Sequence, residues 1–210
     1  MVQISGLYAI IDPSRCSNAS GSGLETIARA VLRGGASVIQ LRDKSSSGRQ
    51  RFSRAQLLRS ICRDFEASFI VNDRLDIALA VGADGVHLGP EDVPVRSARA
   101  AVPHDFVIGA SAGTPEVANR LENQGADYLG VGAIYEARPS KGDASPPRGP
   151  EALGAVVDAV DIPVIGIGGI NAENAPQVIA HGACGVAVIR SLLGADDPER
   201  AARQLVDAIR

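Results

Sequence analysis

Phe69-Ile70-Val71-Asn72-Asp73-Arg74, a short helical stretch, and then Asp84-Gly85-Val86-His87-Leu88-Gly89-Pro90-Glu91-Asp92 read as strand, helix and strand. Phe69 to Val71 and Val86 to Leu88 are β-branched or large apolar runs, the composition of strands buried on both faces of a parallel sheet. Polar side chains arrive only where each strand stops. If the two strands are neighbours, Asp73 and Asp92 lie on one rim, where two carboxylates and the Asn72 amide can share a divalent cation.

The same order repeats outward from this unit. Leu7 to Ile11 is a first strand, Pro13 to Gly23 a Ser- and Gly-rich loop, and Leu24 to Arg33 a helix by its apolar spacing. Ser37 to Leu41 is a second strand that runs into Arg42-Asp43-Lys44. Helices over Arg51 to Phe65, Leu75 to Val81, Val95 to Ala101, Pro115 to Asn123, Glu151 to Val160 and Glu173 to Ala180 each feed a further strand. Those strands begin at Phe69, Val86, Phe106, Tyr128, Pro163 and Gly185, and a helix over Pro198 to Ile209 closes the chain. Several helix exits share a small phrase: Gly34-Gly35-Ala36, Gly82-Ala83-Asp84, Gly125-Ala126-Asp127 and Gly182-Ala183-Cys184. Eight regular units in so short a chain favour a closed (β/α)8 TIM barrel, an α/β fold, over a doubly wound sheet. No linker interrupts the pattern, so residues 1–210 are expected to form a single domain.

A chain of 210 residues, 45% of them hydrophobic, can bury a proper core. The net charge of -3 and 3% aromatic content give neither the positive field nor the stacking surface that nucleic acid or an anionic membrane requires. No apolar run approaches the roughly 20 residues of a membrane span, and the N-terminus lacks the layout of a signal peptide. Cys16, Cys62 and Cys184 are odd in number and widely spaced, which fits a reducing, cytoplasmic setting. The chain carries nothing that fixes its oligomeric state, and a homo-oligomer is compatible with it.

In such barrels the active site lies at the C-terminal ends of the strands. There the sequence places Gln40, Arg42 and Lys44 after the second strand, Asn72 and Asp73 after the third, Glu91 and Asp92 after the fourth, Ser111 after the fifth, and Ser140 and Lys141 in the sixth loop. Acids, cations and neutral hydrogen-bonding groups in that mixture suit a metal-bound polyphosphate. Gly168-Gly169-Ile170-Asn171 and Ile189-Arg190-Ser191 follow the seventh and eighth strands, where backbone amides form a second phosphate site. Asn171 reads equally as an N-cap, Asp73 as a cap of the next helix, and Asp92 as a partner of Arg96. His87, inside a strand, reads as a satisfied core histidine. The proline-rich, basic stretch from Tyr135 to Pro150 is either a lid over an anion or a solvated connection.

Leu7-Tyr8-Ala9-Ile10-Ile11-Asp12, Gln40-Leu41-Arg42-Asp43-Lys44, Val71-Asn72-Asp73-Arg74, Gly85-Val86-His87-Leu88-Gly89 with Glu91-Asp92, and Ile162 to Ile170 together resemble the thiamine phosphate synthase family. The resemblance implies joining of hydroxymethylpyrimidine pyrophosphate to hydroxyethylthiazole phosphate, with release of pyrophosphate through a dissociative step. It implies that Asp73 and Asp92 hold Mg²⁺, and that Arg42, Lys44, Asn72, Ser111 and Lys141 neutralise the departing pyrophosphate. Gln40 would contact the pyrimidine, while Gly169 and the Ile189-Arg190 backbone, beside Gly168, would take the thiazole phosphate. The family's Thr-x-Thr-Lys run appears here as Glu136-Ala137-Arg138-Pro139-Ser140-Lys141, a family Gln as Pro90, and a family Ser as Arg190. Alternatives on the same fold are a thiazole tautomerase, which would not need the two acids, and a non-catalytic binder of thiamine intermediates. An aldolase is disfavoured because no lysine sits mid-strand.

Overall fold

The computed structural model describes residues 4–16, 23–136 and 147–210. Eight strands run parallel: β1 (Gly6–Ile11), β2 (Val38–Leu41), β3 (Ser68–Asn72), β4 (Gly85–Leu88), β5 (Val107–Ala112), β6 (Tyr128–Val131), β7 (Val164–Ile167) and β8 (Gly185–Val188). Each pairs with its sequence neighbour, and β8 returns to β1, closing a (β/α)8 barrel. Outside them run α1 (Leu24–Arg33), α2 (Gly48–Asp64), α3 (Leu75–Ala80), α4 (Val95–Ala101), α5 (Pro115–Asn123), α6 (Gly149–Val157), α7 (Ala175–Ala180), α8 (Arg190–Leu193) and α9 (Pro198–Ala208).

Strand alternation divides the apolar residues into two cores. Leu7, Ile11, Ile39, Phe69, Val86, Ile108, Leu129 and Val186 point outward and are sealed by the helices. Tyr8, Ile10, Val38, Ile70, Val107, Tyr128, Ile165 and Ala187 fill the inside of the barrel. Register keeps inward residues beside inward residues: Ile10 faces Gln40, Gln40 faces Ile70, Asn72 faces His87, and His87 faces Gly109. Each fully buried aliphatic or aromatic side chain contributes about 1.5–3 kcal/mol. The interior is therefore apolar below and polar toward the C-terminal rim.

The lower rim is stitched for stability. At the four expected helix exits the chain passes through Gly35, Gly82, Gly125 and Gly182 in the left-handed region, which glycine enters at little cost. Two aspartates that follow reach back to the preceding strand. Asp84 Oδ2 accepts the Phe69 N–H at 2.8 Å and an Arg59 N–H at 2.9 Å; Asp127 Oδ2 accepts the Ile108 N–H at 2.6 Å and pairs with Arg99.

Several boundaries differ from the sequence reading, each for a local reason. α2 begins at Gly48 rather than Arg51, because Ser47 and Gln50 form a reciprocal capping box. α7 begins at Ala175 rather than Glu173, because Asn171 and Asn174 tie residues 171–174 into a turn: Asn171 Oδ1 accepts the Glu173 and Asn174 N–H groups, and Asn174 Oδ1 accepts the Asn171 N–H. α6 starts at Gly149 rather than Glu151, with Pro150 in its first turn. α8 is a single turn that the sequence reading did not separate from the loop after β8.

Candidate active site

Two adjoining cavities of about 270 Å³ each open at the C-terminal rim. They share Arg42, Ile167, Ala187 and Ile189. The first reaches down to Tyr8, Gln40, His87 and Tyr128, and is walled by Arg42, Lys44, Asn72, Asp73 and Ser111. The second is lined by Gly168, Gly169, Ile189, Arg190 and Ser191, with Arg15 and Glu136 at its edge. The described residues that the sequence singled out therefore meet at one rim, with Asp92 just outside the wall of the first cavity, except Glu91, which is exposed and lines neither cavity. Ser140 and Lys141 lie outside the described residues, as does most of the stretch read as a lid.

The acidic corner is built by the ends of β3 and β4. The Asp73 N–H donates to the His87 carbonyl at 2.9 Å, which turns the chain out of the sheet with Asp73 itself in the left-handed region at φ 65. Its carboxyl is crowded by that of Asp92, and its Oδ2 stands 3.6 Å from Lys44 Nζ. Burial, and after it the neighbouring Asp92, hold the Asp73 pKa above the ordinary carboxylate range, against the lowering effect of Lys44. Asp92 Oδ2 in turn accepts the Gly89 N–H at 2.7 Å, which fixes the β4 exit loop. Neither structural alternative is realised. The cap position of α3 is Arg74, without a side-chain cap bond, and no ion pair among the described residues joins Asp92 to Arg96.

Two crowded carboxylates beside one lysine form a hard, all-oxygen donor pair, the kind that suits Mg²⁺ or Ca²⁺. Among the described residues no three His, Cys, Asp or Glu side chains converge as a ready metal-ligating cluster. Water and ligand oxygens would have to complete the coordination, as Mg²⁺ commonly requires.

Arg42 is positioned from below. Asp12, buried at 7% exposure, accepts an Arg42 N–H at 3.1 Å and both the Ser14 N–H and hydroxyl, at 3.0 and 2.6 Å. This places one guanidinium on the boundary of both cavities. The glycine loop after β7 is equally constrained: Gly168 and Gly169 both have positive φ, and a Cβ would lie 2.7 Å from the Ala133 Cα and 2.8 Å from the Tyr135 Cβ respectively. Asn174 Nδ2 donates to the Gly169 carbonyl at 3.0 Å, and the Ser191 hydroxyl to the Ile170 carbonyl at 2.6 Å. Asn171 serves this turn.

The sequence reading missed Tyr8, Tyr128, Asp12 and Arg15. His87 is satisfied as expected, with both ring nitrogens bonded, yet it also lines the first cavity. A buried tyrosine hydroxyl must find a partner, but the strand sequence alone does not say whether Tyr8 and Tyr128 face the helices or the barrel interior.

The model of the family described as thiamine monophosphate synthase matches residues 7–192. This chain belongs to that family. Among relatives of the thiamine monophosphate synthase family, the thiamine-phosphate synthase of Natronomonas pharaonis is 42% identical over 210 residues, covering 100% of this chain and 97% of the relative. That of Moorella thermoacetica is 50% identical over 191 residues, 90% of each chain. A solved structure of thiamine phosphate pyrophosphorylase from Pyrococcus furiosus superposes with a TM-score of 0.87 at 40% identity, covering 97% of this chain and 95% of that one. The chain is thus an enzyme, a transferase of the thiamine monophosphate synthase family. Among the described residues no helix is long and apolar enough to cross a membrane.

Proposed function

We propose that the first cavity takes hydroxymethylpyrimidine pyrophosphate and the second hydroxyethylthiazole phosphate, and that the enzyme joins them with release of pyrophosphate to give thiamine phosphate. The observation that carries this reading is the pair of adjoining cavities, one with an acidic corner and one with a glycine loop and arginines, meeting at Arg42. Two anionic substrates need two anion sites whose inner ends face each other.

Within the first cavity, Gln40 meets the pyrimidine ring, and Arg42, Lys44, Asn72 and Ser111 surround the pyrophosphate. Asp73 and Asp92 would hold Mg²⁺, which when bound supplies charge neutralisation to the phosphate oxygens. The proposed reaction requires no covalent bond between the chain and the substrate. Its contribution is to hold the methylene carbon opposite the thiazole nitrogen and to stabilise negative charge as the C–O bond breaks. Ile167, Ala187 and Ile189 separate the cavities with apolar surface, keeping water from a pyrimidine methylene cation until the thiazole nitrogen captures it. In the second cavity Gly168, Gly169, Ile189 and Arg190 receive the thiazole phosphate, with Arg15 at the edge.

The test is competition. Inorganic pyrophosphate should compete with the pyrimidine substrate and leave thiazole-phosphate binding in place, whereas Gly169→Ala should weaken thiazole-phosphate binding alone. Mutual exclusion of the two substrates in the unreacted enzyme would contradict a two-cavity site.

A further inference from the structure

Five polar side chains inside the barrel form one continuous hydrogen-bonded chain. Gln40 Nε2 donates to Tyr8 Oη at 2.8 Å; the Tyr8 and Tyr128 hydroxyls are 2.8 Å apart; Tyr128 Oη lies 3.1 Å from His87 Nδ1, and His87 Nε2 lies 3.0 Å from Ser111 Oγ. All five line the first cavity. Tyr8 and Tyr128 are buried at 2% and 1% exposure, and burial raises both phenol pKa values, so each keeps its proton. The barrel makes room for the chain by leaving side chains out: a Cβ at Gly109 would lie 2.1 Å from the Tyr128 Cζ, and one at Gly130 would lie 3.1 Å from the His87 Cε1.

Such a chain has a direction. Each phenol, and a neutral imidazole, has one proton to give and accepts one in return. With the Gln40 amide donating to Tyr8, the Tyr8 proton goes to Tyr128, the Tyr128 proton to His87 Nδ1, and the His87 Nε2–H to Ser111. Gln40 Oε1, with the second Nε2 proton beside it, and the Ser111 proton are then the groups left over for a ligand. Reversing one link reverses all of them, presenting the Gln40 amino group and a Ser111 lone pair instead.

We propose that this chain is a polarity relay, in which an anion at Ser111 fixes the Gln40 amide with its nitrogen toward Tyr8 and its oxygen toward the ligand, so that the site favours a ring bearing an exocyclic N–H donor. Tyr8, Tyr128 and His87 act through Gln40 and Ser111 and are positioning residues for this choice. The inference rests on the reading that the pyrimidine sits against Gln40 and its pyrophosphate against Ser111. Under it, the leaving group and the exocyclic amine of one substrate are read by opposite ends of one wire. An oxo group in place of the amine would face the Gln40 carbonyl, or would require every proton in the chain to turn round, against the anion.

The experiment compares aminopyrimidine and oxopyrimidine pyrophosphates as substrates for the wild type, Tyr8→Phe and Tyr128→Phe. The wild type should favour the amino ring by roughly 100-fold or more in kcat/KM. Each variant should cut that ratio by about tenfold or more, because Gln40 is then free to turn. Equal losses for both rings, with the ratio unchanged, would make the tyrosines merely structural and overturn the proposal. A second readout uses the wild type alone: ¹⁵N resonances of the His87 imidazole, assigned by their loss in His87→Gln, recorded with inorganic pyrophosphate bound. The relay requires the Nε2–H tautomer; an Nδ1–H ring or an imidazolium overturns it. Failure of the wild type to use either pyrimidine would sink the functional reading, while the tautomer would still decide the relay.

Discussion

The Asp73 carboxyl is crowded by that of Asp92, while Lys44 Nζ stands 3.6 Å from its Oδ2. Two like charges held together by the fold, half out of water, are a liability that one lysine only partly relieves. A cation bound there, as proposed, would turn that crowding into attraction.

Asp92→Asn should therefore lower turnover by about 100-fold or more, since charge neutralisation at the leaving group is the main lever of the proposed mechanism. Asp73→Asn should lose activity similarly and yet raise the melting temperature of the metal-free protein, because it removes the like-charge contact and asparagine tolerates a positive φ. Mg²⁺ should raise the melting temperature of the wild type and of neither variant to the same extent. Near-normal turnover in Asp92→Asn would rule the pair out as metal ligands.

His87 gives a pH signature in stability. Burial holds its pKa down to about 4 from an ordinary 6.5, with Asp92 opposing. As pH falls through 6.5 the unfolded chain takes up a proton that the folded one refuses until about 4. Stability is lost across that window and levels off below it. At about 1.4 kcal/mol per tenfold change in proton affinity, and discounting for a half-buried ring, the loss is about 2–3 kcal/mol. Denaturant midpoints at pH 7 and pH 4 should differ by this much more in the wild type than in His87→Gln.

Gly109→Ala should destabilise by about 1–3 kcal/mol or more, because its methyl group would enter the Tyr128 ring. Gly48→Ala, on the first turn of α2 with nothing near its Cβ, should instead stabilise by about 0.5 kcal/mol. Chemical unfolding of the two variants side by side separates a packing requirement from a general cost of removing glycine.

Asp12→Asn should weaken the hold on Arg42 and lower kcat/KM by about tenfold, since a small displacement of a group that lines both cavities would misalign both proposed substrates. Kinetics against each substrate in turn should show losses for both. An effect confined to the thiazole phosphate would place Arg42 in the second cavity alone.

The barrel was legible because its grammar is local. Apolar runs, helical spacing and glycine exits recur in each unit, and closure follows from their number. The rim residues from Gln40 to Asp92 were legible for the same reason, since a polar side chain just past an apolar run has one place to go. Tyr8 and Tyr128 were not, because they sit inside those runs and nothing in a strand sequence says which parity faces inward. That Gln40, Tyr8, Tyr128, His87 and Ser111 meet depends on the shear of the barrel, which brings together residues of five strands. Asp12 stood in the sequence only as the end of the first motif, with nothing to show that it would reach Arg42 at the end of the neighbouring strand, and the single turn of α8 was too short to carry a periodicity.

The most direct measurement is formation of thiamine phosphate and pyrophosphate by the purified protein from the two phosphorylated precursors, first with Mg²⁺ and then with excess chelator. One pyrophosphate released per thiamine phosphate, abolished by chelator and restored by added Mg²⁺, is the expected result. Product formation at an undiminished rate in chelator, or tight binding of both precursors with no product, would contradict a metal-assisted synthase built on Asp73 and Asp92.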